Sequence, residues 1–203
     1  QALSISMVAQ TKPNIVIIYT DDMGIGDLSC YNNGWVTTPN IDRLAANGLK
    51  FNHYYTASPV SSPSRVSLTT GMFPTEWGVN TFLHERAGNA RCEQVDYLDA
   101  SAPSMAESLK KVGYATAHIG KWHMGGGRDV DDAPQIPLYG FDEYVSTYES
   151  PDPDKLITAS DWIWSKQDSI KRWDRTKYFV DKTLNFLSRH KGTPCFVNFW
   201  PDD

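Results

Sequence analysis

Apolar positions along the chain alternate between runs suited to strands and spacings suited to helices. Ile15-Val16-Ile17-Ile18-Tyr19 is continuous and rich in β-branched residues, the pattern of a strand covered on both faces. Pro39 and Asn40 then open a helix whose apolar positions are Ile41, Leu44 and Ala45, with Gly48 at its end. Phe51, His53 and Tyr55 alternate with Asn52 and Tyr54, which predicts a second extended segment. A short helix is predicted over Val66 to Thr70, after Pro63 and before Gly71. Another spans Pro103 to Val112, with Lys110 and Lys111 favouring its C-terminal dipole. Tyr114 to Ile119 reads as the next strand, Arg175 to His190 as a helix with Phe179, Val180, Leu184 and Leu187 at helical spacing, and Cys195 to Trp200 as a buried strand. The span 125–174 has no clear period, as expected of a site-forming insertion or mobile loop. This alternation predicts an α/β fold, a mainly parallel sheet sandwiched by helices.

Composition narrows the function classes. The 203 residues, 40% hydrophobic and 21% charged, suit one globular domain or one and part of a second. With 19 Lys and Arg against 24 Asp and Glu the net charge is −5, which disfavours a nucleic-acid partner. The longest apolar run is too short for a transmembrane segment. Cys30, Cys92 and Cys195 form no C-x-x-C pair, so a disulfide scaffold and a sulfur-based metal site are poor readings. Ala2 to Ala9 is small and apolar, which reads as a signal-peptide remnant over residues 1–10 and implies an exported protein; the bland alternative is an unstructured end.

Three polar clusters follow predicted strands or precede a predicted helix, where α/β sheets gather ligands. Asp21 and Asp22 are adjacent carboxylates that repel unless a cation lies between them, and a hard ion, Ca²⁺ or Mg²⁺, suits their oxygens. Taken alone, such a pair is more often a solvated turn. In Ser61-Ser62-Pro63-Ser64-Arg65, Ser61 is expected just outside a helix start, where free N–H groups stabilise an anion, with Arg65 one turn on to grip a phosphate or sulfate oxygen. Here the bland reading is a serine cap. Gly120-Lys121-Trp122-His123 places a fixed charge and a proton-transfer group two residues apart, on one side of an extended backbone; its plain reading is a surface loop. Together they supply the parts of a metal-assisted transfer of an oxyanion group.

These residues also form an ordered pattern. Lys12-Pro13-Asn14-Ile15-Val16 with Asp21-Asp22-Met23-Gly24 resembles the opening of the type I, formylglycine-dependent sulfatases of the alkaline phosphatase superfamily. Thr38-Pro39-Asn40-Ile41-Asp42-Arg43-Leu44-Ala45 resembles their next segment, and Ser61-x-Pro63-Ser64-Arg65 with Thr70-Gly71 resembles their signature. Gly120-Lys121-Trp122-His123 is similar to their Gly-Lys-Trp-His block. The resemblance implies an alkaline phosphatase-like fold and a Ser61 oxidised after translation to formylglycine, as in the bacterial Ser-type subset matured by a radical-type sulfatase-maturing enzyme. It further implies that Asp21, Asp22 and the modified residue 61 bind Ca²⁺. Arg65, Lys121 and His123 would hold the aldehyde hydrate, with Lys121 also on the sulfate. One hydrate oxygen would attack sulfur and expel the alcohol; the second hydroxyl, giving up its proton with His123 the candidate acceptor, would then collapse the adduct to aldehyde and free sulfate. A plain serine lacks that second hydroxyl.

The family's further metal ligands and a second lysine lie downstream of the residues matched, so 11–203 is expected to be the N-terminal part of a catalytic domain. Its remainder and C-terminal subdomain are absent, and it should be inactive by itself. His84, Glu85, Arg86, Arg128 and the acidic run Asp129, Asp131 and Asp132 are candidates for the pocket rim, and Trp77, Trp162 and Trp164 for stacking on sugars; packing roles are equally in keeping. An exported sulfatase with a locally basic pocket suggests a sulfated carbohydrate substrate, with periplasmic or cell-surface placement. Two other readings stay open: a phosphate or phosphonate monoester hydrolase of the same superfamily, and a non-catalytic binder of sulfated glycans.

Overall fold

Four parallel strands build the sheet in the order β1-β4-β2-β3: β1 (Ile15–Ile18), β2 (Ala115–Gly120), β3 (Glu143–Ser146) and β4 (Cys195–Trp200). The computed structural model describes residues 12–32, 35–147, 149–157 and 168–202. The signal-peptide expectation for 1–10 and the stacking roles of Trp162 and Trp164 fall outside these residues. Parallel pairing requires crossover connections, and the helices supply them. They are α1 (Pro39–Asn47), α2 (Ser61–Thr70), α3 (Arg86–Arg91), α4 (Met105–Lys111) and α5 (Arg172–Arg189).

β4 is buried along its whole length, as its unbroken apolar run predicts, yet its side chains still divide by period two. Phe196 and Trp200 join Val66 of α2, Ala106 of α4, Trp122 and Phe141 in one core. Cys195, Val197 and Phe199 join Phe179 and Phe186 of α5 in the other. Helices therefore cover both faces of the sheet, as the alternation implied. Ser104 caps α4 by accepting the N–H of Ala106 at 3.1 Å, and Lys110 and Lys111 occupy its last turn.

Four local expectations are corrected. β1 is not covered on both faces: among the described residues it pairs only with β4, and Val16 and Ile18 stand 41% and 60% exposed. The 51–55 segment is no strand; alternation there produces exposed aromatics, Phe51, Tyr54 and Tyr55, without a sheet partner. The aperiodic 125–174 span hides β3, whose four residues are too few to display a period. In α5 the buried stripe is Arg175, Phe179, Thr183 and Phe186, whereas Leu184 is 59% exposed. That helix turns a polar arginine inward because two carboxylates wait there. Among the described residues no helix is long and apolar enough to cross a membrane.

Candidate active site

The three clusters meet at the carboxyl ends of β1 and β2. After β1 the ladder continues one step, Tyr19 N–H donating to Phe199 O at 3.0 Å, and Asp21 follows immediately. Beyond β2, Lys121 N–H donates to Trp200 O at 2.8 Å, which fixes the lysine backbone over β4. Ser61 is the first residue of α2, whose cap position is Val60. The expectation that Ser61 lies outside the helix with Pro63 starting it is thus off by one turn position. Proline lacks only an N–H, and every N–H of a first turn is free, so Pro63 is tolerated inside that turn. Neither serine hydroxyl serves as the cap. Ser62 Oγ accepts the Leu83 N–H at 2.9 Å, and Ser61 Oγ donates to Asp21 Oδ1 at 3.2 Å.

Asp21 is the hub. Its Oδ1 accepts from Arg65 Nη2 at 2.9 Å and its Oδ2 from Lys121 Nζ at 2.7 Å, and Lys121 Nζ is also 3.3 Å from Ser61 Oγ. Burial pushes the Asp21 carboxyl up, but Lys121 and Arg65 outweigh it and hold it below the usual range. Arg65 is 1% exposed, with its guanidinium 5.0 Å from the Trp200 ring and 5.5 Å from that of Tyr19. Burial acts against its charge, and Asp21 opposes that effect. These two rings, whose centroids are themselves 5.9 Å apart, lie beside the guanidinium and leave its Nη2 free to reach Asp21. Asp22, the other carboxylate, is exposed and has a left-handed φ of 52°.

His123 faces a neighbouring cleft of about 250 Å³, lined also by Phe82, Lys121, Arg128, Glu149, Arg172 and Asp202. Its Nε2 is 3.3 Å from Leu83 O and its Nδ1 3.4 Å from Glu149 Oε2. Burial draws the ring down to about 4, against the raising influence of Glu149. Arg128 reaches this cleft and bonds Glu149 Oε1 at 3.0 Å. The other rim candidates, His84, Glu85, Arg86, Asp129, Asp131 and Asp132, do not line it. His84 stacks on Phe82 with centroids 4.0 Å apart. Arg86 bonds Asp96 and Asp132, and its Nε donates to Asp129 O. The charged candidates Arg86, Asp129 and Asp132 thus largely satisfy one another.

Glu149, Arg172 and Phe82 belong to the cleft with no signal in the sequence, since none falls in a periodic or motif position. Asp202 follows the strand-end Trp200-Pro201 segment and is likewise absent from the sequence-derived candidates. His118, on β2, carries no motif signal either; it is edge-on to Trp122, Phe141 and Trp200, and burial drops it to about 3, so it is a neutral ring.

The oxygen donors near Ser61 suit a hard cation. Asp21, Asp22 and residue 61 offer carboxylate and hydroxyl oxygens, fewer than the six to eight that Ca²⁺ takes. Among the described residues no group of three His, Cys, Asp or Glu is close enough to form a metal site by itself. The donor chemistry fits; the number is partial.

A family model described as Sulfatase matches residues 13–199. An N-acetylgalactosamine-6-O-sulfatase of Bacteroides thetaiotaomicron is 44% identical over 141 residues, covering 66% of this chain and 26% of that protein. Human N-acetylgalactosamine-6-sulfatase is 32% identical over 219 residues, covering 96% of this chain and 40% of that protein. A structure from work on the metabolism of multiple glycosaminoglycans by Bacteroides thetaiotaomicron superposes with a TM-score of 0.75 at 29% identity, over 94% of this chain and 51% of that one. The chain thus spans about a quarter to two fifths of the length of these two curated relatives.

Proposed function

The chain belongs to the sulfatase family, and on that premise we propose that the whole protein hydrolyses sulfate esters of sulfated glycans, with Ser61 oxidised to formylglycine as its nucleophile. The observation behind this reading is the convergence of Ser61, Asp21, Arg65 and Lys121 within hydrogen-bonding reach, from segments up to 100 residues apart. A serine needed only as a helix cap would not be aimed at a carboxylate shared with two cations. The glycan substrate is supported by what the two relatives are named for, the 6-sulfate of N-acetylgalactosamine.

Within this reading each side chain has a physical task. Asp21, Asp22 and residue 61 would hold Ca²⁺, or Mg²⁺ as the other hard ion, which when bound would acidify an oxygen nucleophile and offset the sulfate charge. Formylglycine supplies a hydrate with two hydroxyls, one to attack sulfur and one to release the product. Lys121 and Arg65 place positive charge beside the position-61 oxygen, in a site dry enough for that charge to act strongly. Asp21 keeps both cations from drifting into the cleft. His123 is neutral near pH 7, because its folded value of about 4 lies well below, and so it has a lone pair to accept a proton. The same reading includes maturation by a radical-type enzyme and export to the periplasm or cell surface, supported by the small apolar residues Ala2 to Ala9.

The test is made on full-length protein matured in its native host. The Ser61 peptide is expected to be about 2 Da lighter than its sequence mass, the loss of two hydrogens on oxidation to the nucleophilic aldehyde. Sulfate release from sulfated sugars should disappear in Ser61→Ala. An unmodified Ser61 in an enzyme that still turns over repeatedly would overturn the mechanism. An aldehyde that hydrolyses aryl phosphonates and no sulfate would give the reaction to the phosphonate class.

A further inference from the structure

His123 is surrounded in a way that its assigned role alone does not explain. Its backbone N–H donates to Glu149 O at 3.0 Å, and its φ of 50° is left-handed, a conformation that costs a non-glycine residue energy. Glu149 therefore grips this residue twice, through its carbonyl and through its carboxylate. Leu83 O lies 3.3 Å from Nε2, while the buried Nδ1 makes no hydrogen bond and has Glu149 Oε2 3.4 Å away. A backbone carbonyl only accepts, and so does an ionised carboxylate. A neutral imidazole has one N–H, so one nitrogen must point a lone pair at an oxygen. Adding a second proton turns both contacts into attractions.

We propose that Glu149 is a positioning residue acting through His123, orienting its ring and stabilising the second proton that the ring takes up during turnover. Glu149 keeps its own negative charge throughout and makes no bond to the substrate. With the Nδ1–H turned to Glu149, Nε2 is the nitrogen that takes the proton of a reacting hydroxyl, in place of its 3.3 Å contact with Leu83 O, giving an imidazolium beside a carboxylate. This rests on the reading of His123 as the proton acceptor. The charge balance around the ring is consistent with it. Lys121 from the end of β2 and Arg65 from α2 disfavour a cationic ring, and Arg172 and Asp202 face the same cleft. Glu149 is the carboxylate in contact with the ring, and Arg128 competes for it at 3.0 Å. Burial pushes the Glu149 carboxyl up, but His123, Arg128 and Lys121 bring it below the usual range, so it is ionised at neutral pH. The arrangement matches the use of a buried carboxylate to orient a catalytic histidine in other enzymes.

The test uses two substitutions that act in opposite directions on the full-length protein. Glu149→Gln removes the countercharge, so the His123 titration point should fall by about one pH unit. Arg128→Met frees Glu149 to act on the ring, so that point should rise by a similar amount. Ring titration is followed by NMR of isotope-labelled histidine, with His123 identified by its loss in His123→Asn. This arm reads out whether or not sulfate is released, which separates it from failure of the proposed reaction. In matured enzyme the acid limb of kcat/KM should shift in the same two directions, with kcat lowered at least tenfold in Glu149→Gln and partly restored in Glu149→Asp. If Glu149→Gln does not fold, Arg128→Met decides through its upward shift or the lack of one. A His123 titration point unmoved by the variants that fold would reduce Glu149 to a packing residue.

Discussion

At the scale of single residues, the site depends on a few backbone positions that allow no side chain. Gly120 is the clearest, because it joins β2 to Lys121. Its φ is +118°, and a methyl group added there would lie 1.9 Å from the carbonyl oxygen of Trp200. That oxygen accepts the Lys121 N–H, so it cannot move without displacing the lysine. Gly120→Ala should therefore lower stability by about 3 kcal/mol in urea denaturation of the full-length protein, from steric overlap and a disfavoured φ together. It should reduce sulfate release as well. A variant of wild-type stability would mean that the β2–β4 contact relaxes freely. The motif residues around Gly120 were legible in the sequence, but the reason for this glycine was not, since its obstacle is 80 residues away on β4.

At the scale of elements, the polar contacts that tie helices to strands deserve separate weight from the apolar core. Asp142, just before β3, accepts from Thr116 N–H at 2.9 Å and Thr116 Oγ1 at 3.0 Å, and pairs with Lys110 of α4 at 2.6 Å. One carboxylate thus links β2, α4 and the entry to β3. Asp142→Ala should cost about 1–3 kcal/mol, since it removes charge-assisted bonds and strands the Thr116 N–H, while the Thr116 hydroxyl keeps Gly140 O at 2.7 Å. Burial raises the Asp142 carboxyl, but Lys110 and Thr116 bring it below its ordinary value. A depressed folded value means that this stabilisation is complete above the unfolded value of about 4 and is lost as pH falls through the folded one. Wild type should accordingly lose stability below about pH 4 more steeply than Asp142→Ala, as measured by chemical denaturation at stepped pH. An identical acid slope in both would deny Asp142 this role. β3 itself was invisible to periodicity, being four residues long within an irregular span. What makes it a strand is pairing with β2, a long-range fact.

At the scale of the whole molecule, a buried ion cluster connects α5 to the cleft. Arg175 is 1% exposed and reaches Asp168 Oδ2 at 3.0 Å and Asp202 Oδ2 at 2.7 Å. Asp202 lines the cleft beside Lys121 and His123, so this helix helps to set the wall of the site. Arg175→Met would remove the guanidinium that two buried carboxylates share, and should cost about 3–5 kcal/mol. The expected result is a markedly lower Tm by calorimetry of the full-length protein. Arg175→Lys should recover only part of the loss, because a single ammonium cannot bridge both partners as the guanidinium fork does. An unchanged Tm in Arg175→Met would show that the carboxylates find water or other donors instead. The net charge of −5 gives no sign of the charges gathered at the site, where Arg65, Lys121, Arg128 and Arg172 meet Asp21, Glu149 and Asp202.

The amino-acid sequence alone determined the parallel α/β character, three of the four strands, the main helices and the chemical identity of the Asp21, Ser61, Arg65 and Lys121 group. These depend on local spacing and on residue types whose chemistry travels with them. Only the tertiary structure decided where the hydroxyl of Ser61 points, which rim candidates reach the cleft, and that Glu149 lies against His123. It also turned Arg175 inward on a helix that reads as having an apolar stripe there. Each of these outcomes is a contact between residues distant along the chain, and such contacts are set by packing and by pairing of buried charge, which no local pattern encodes.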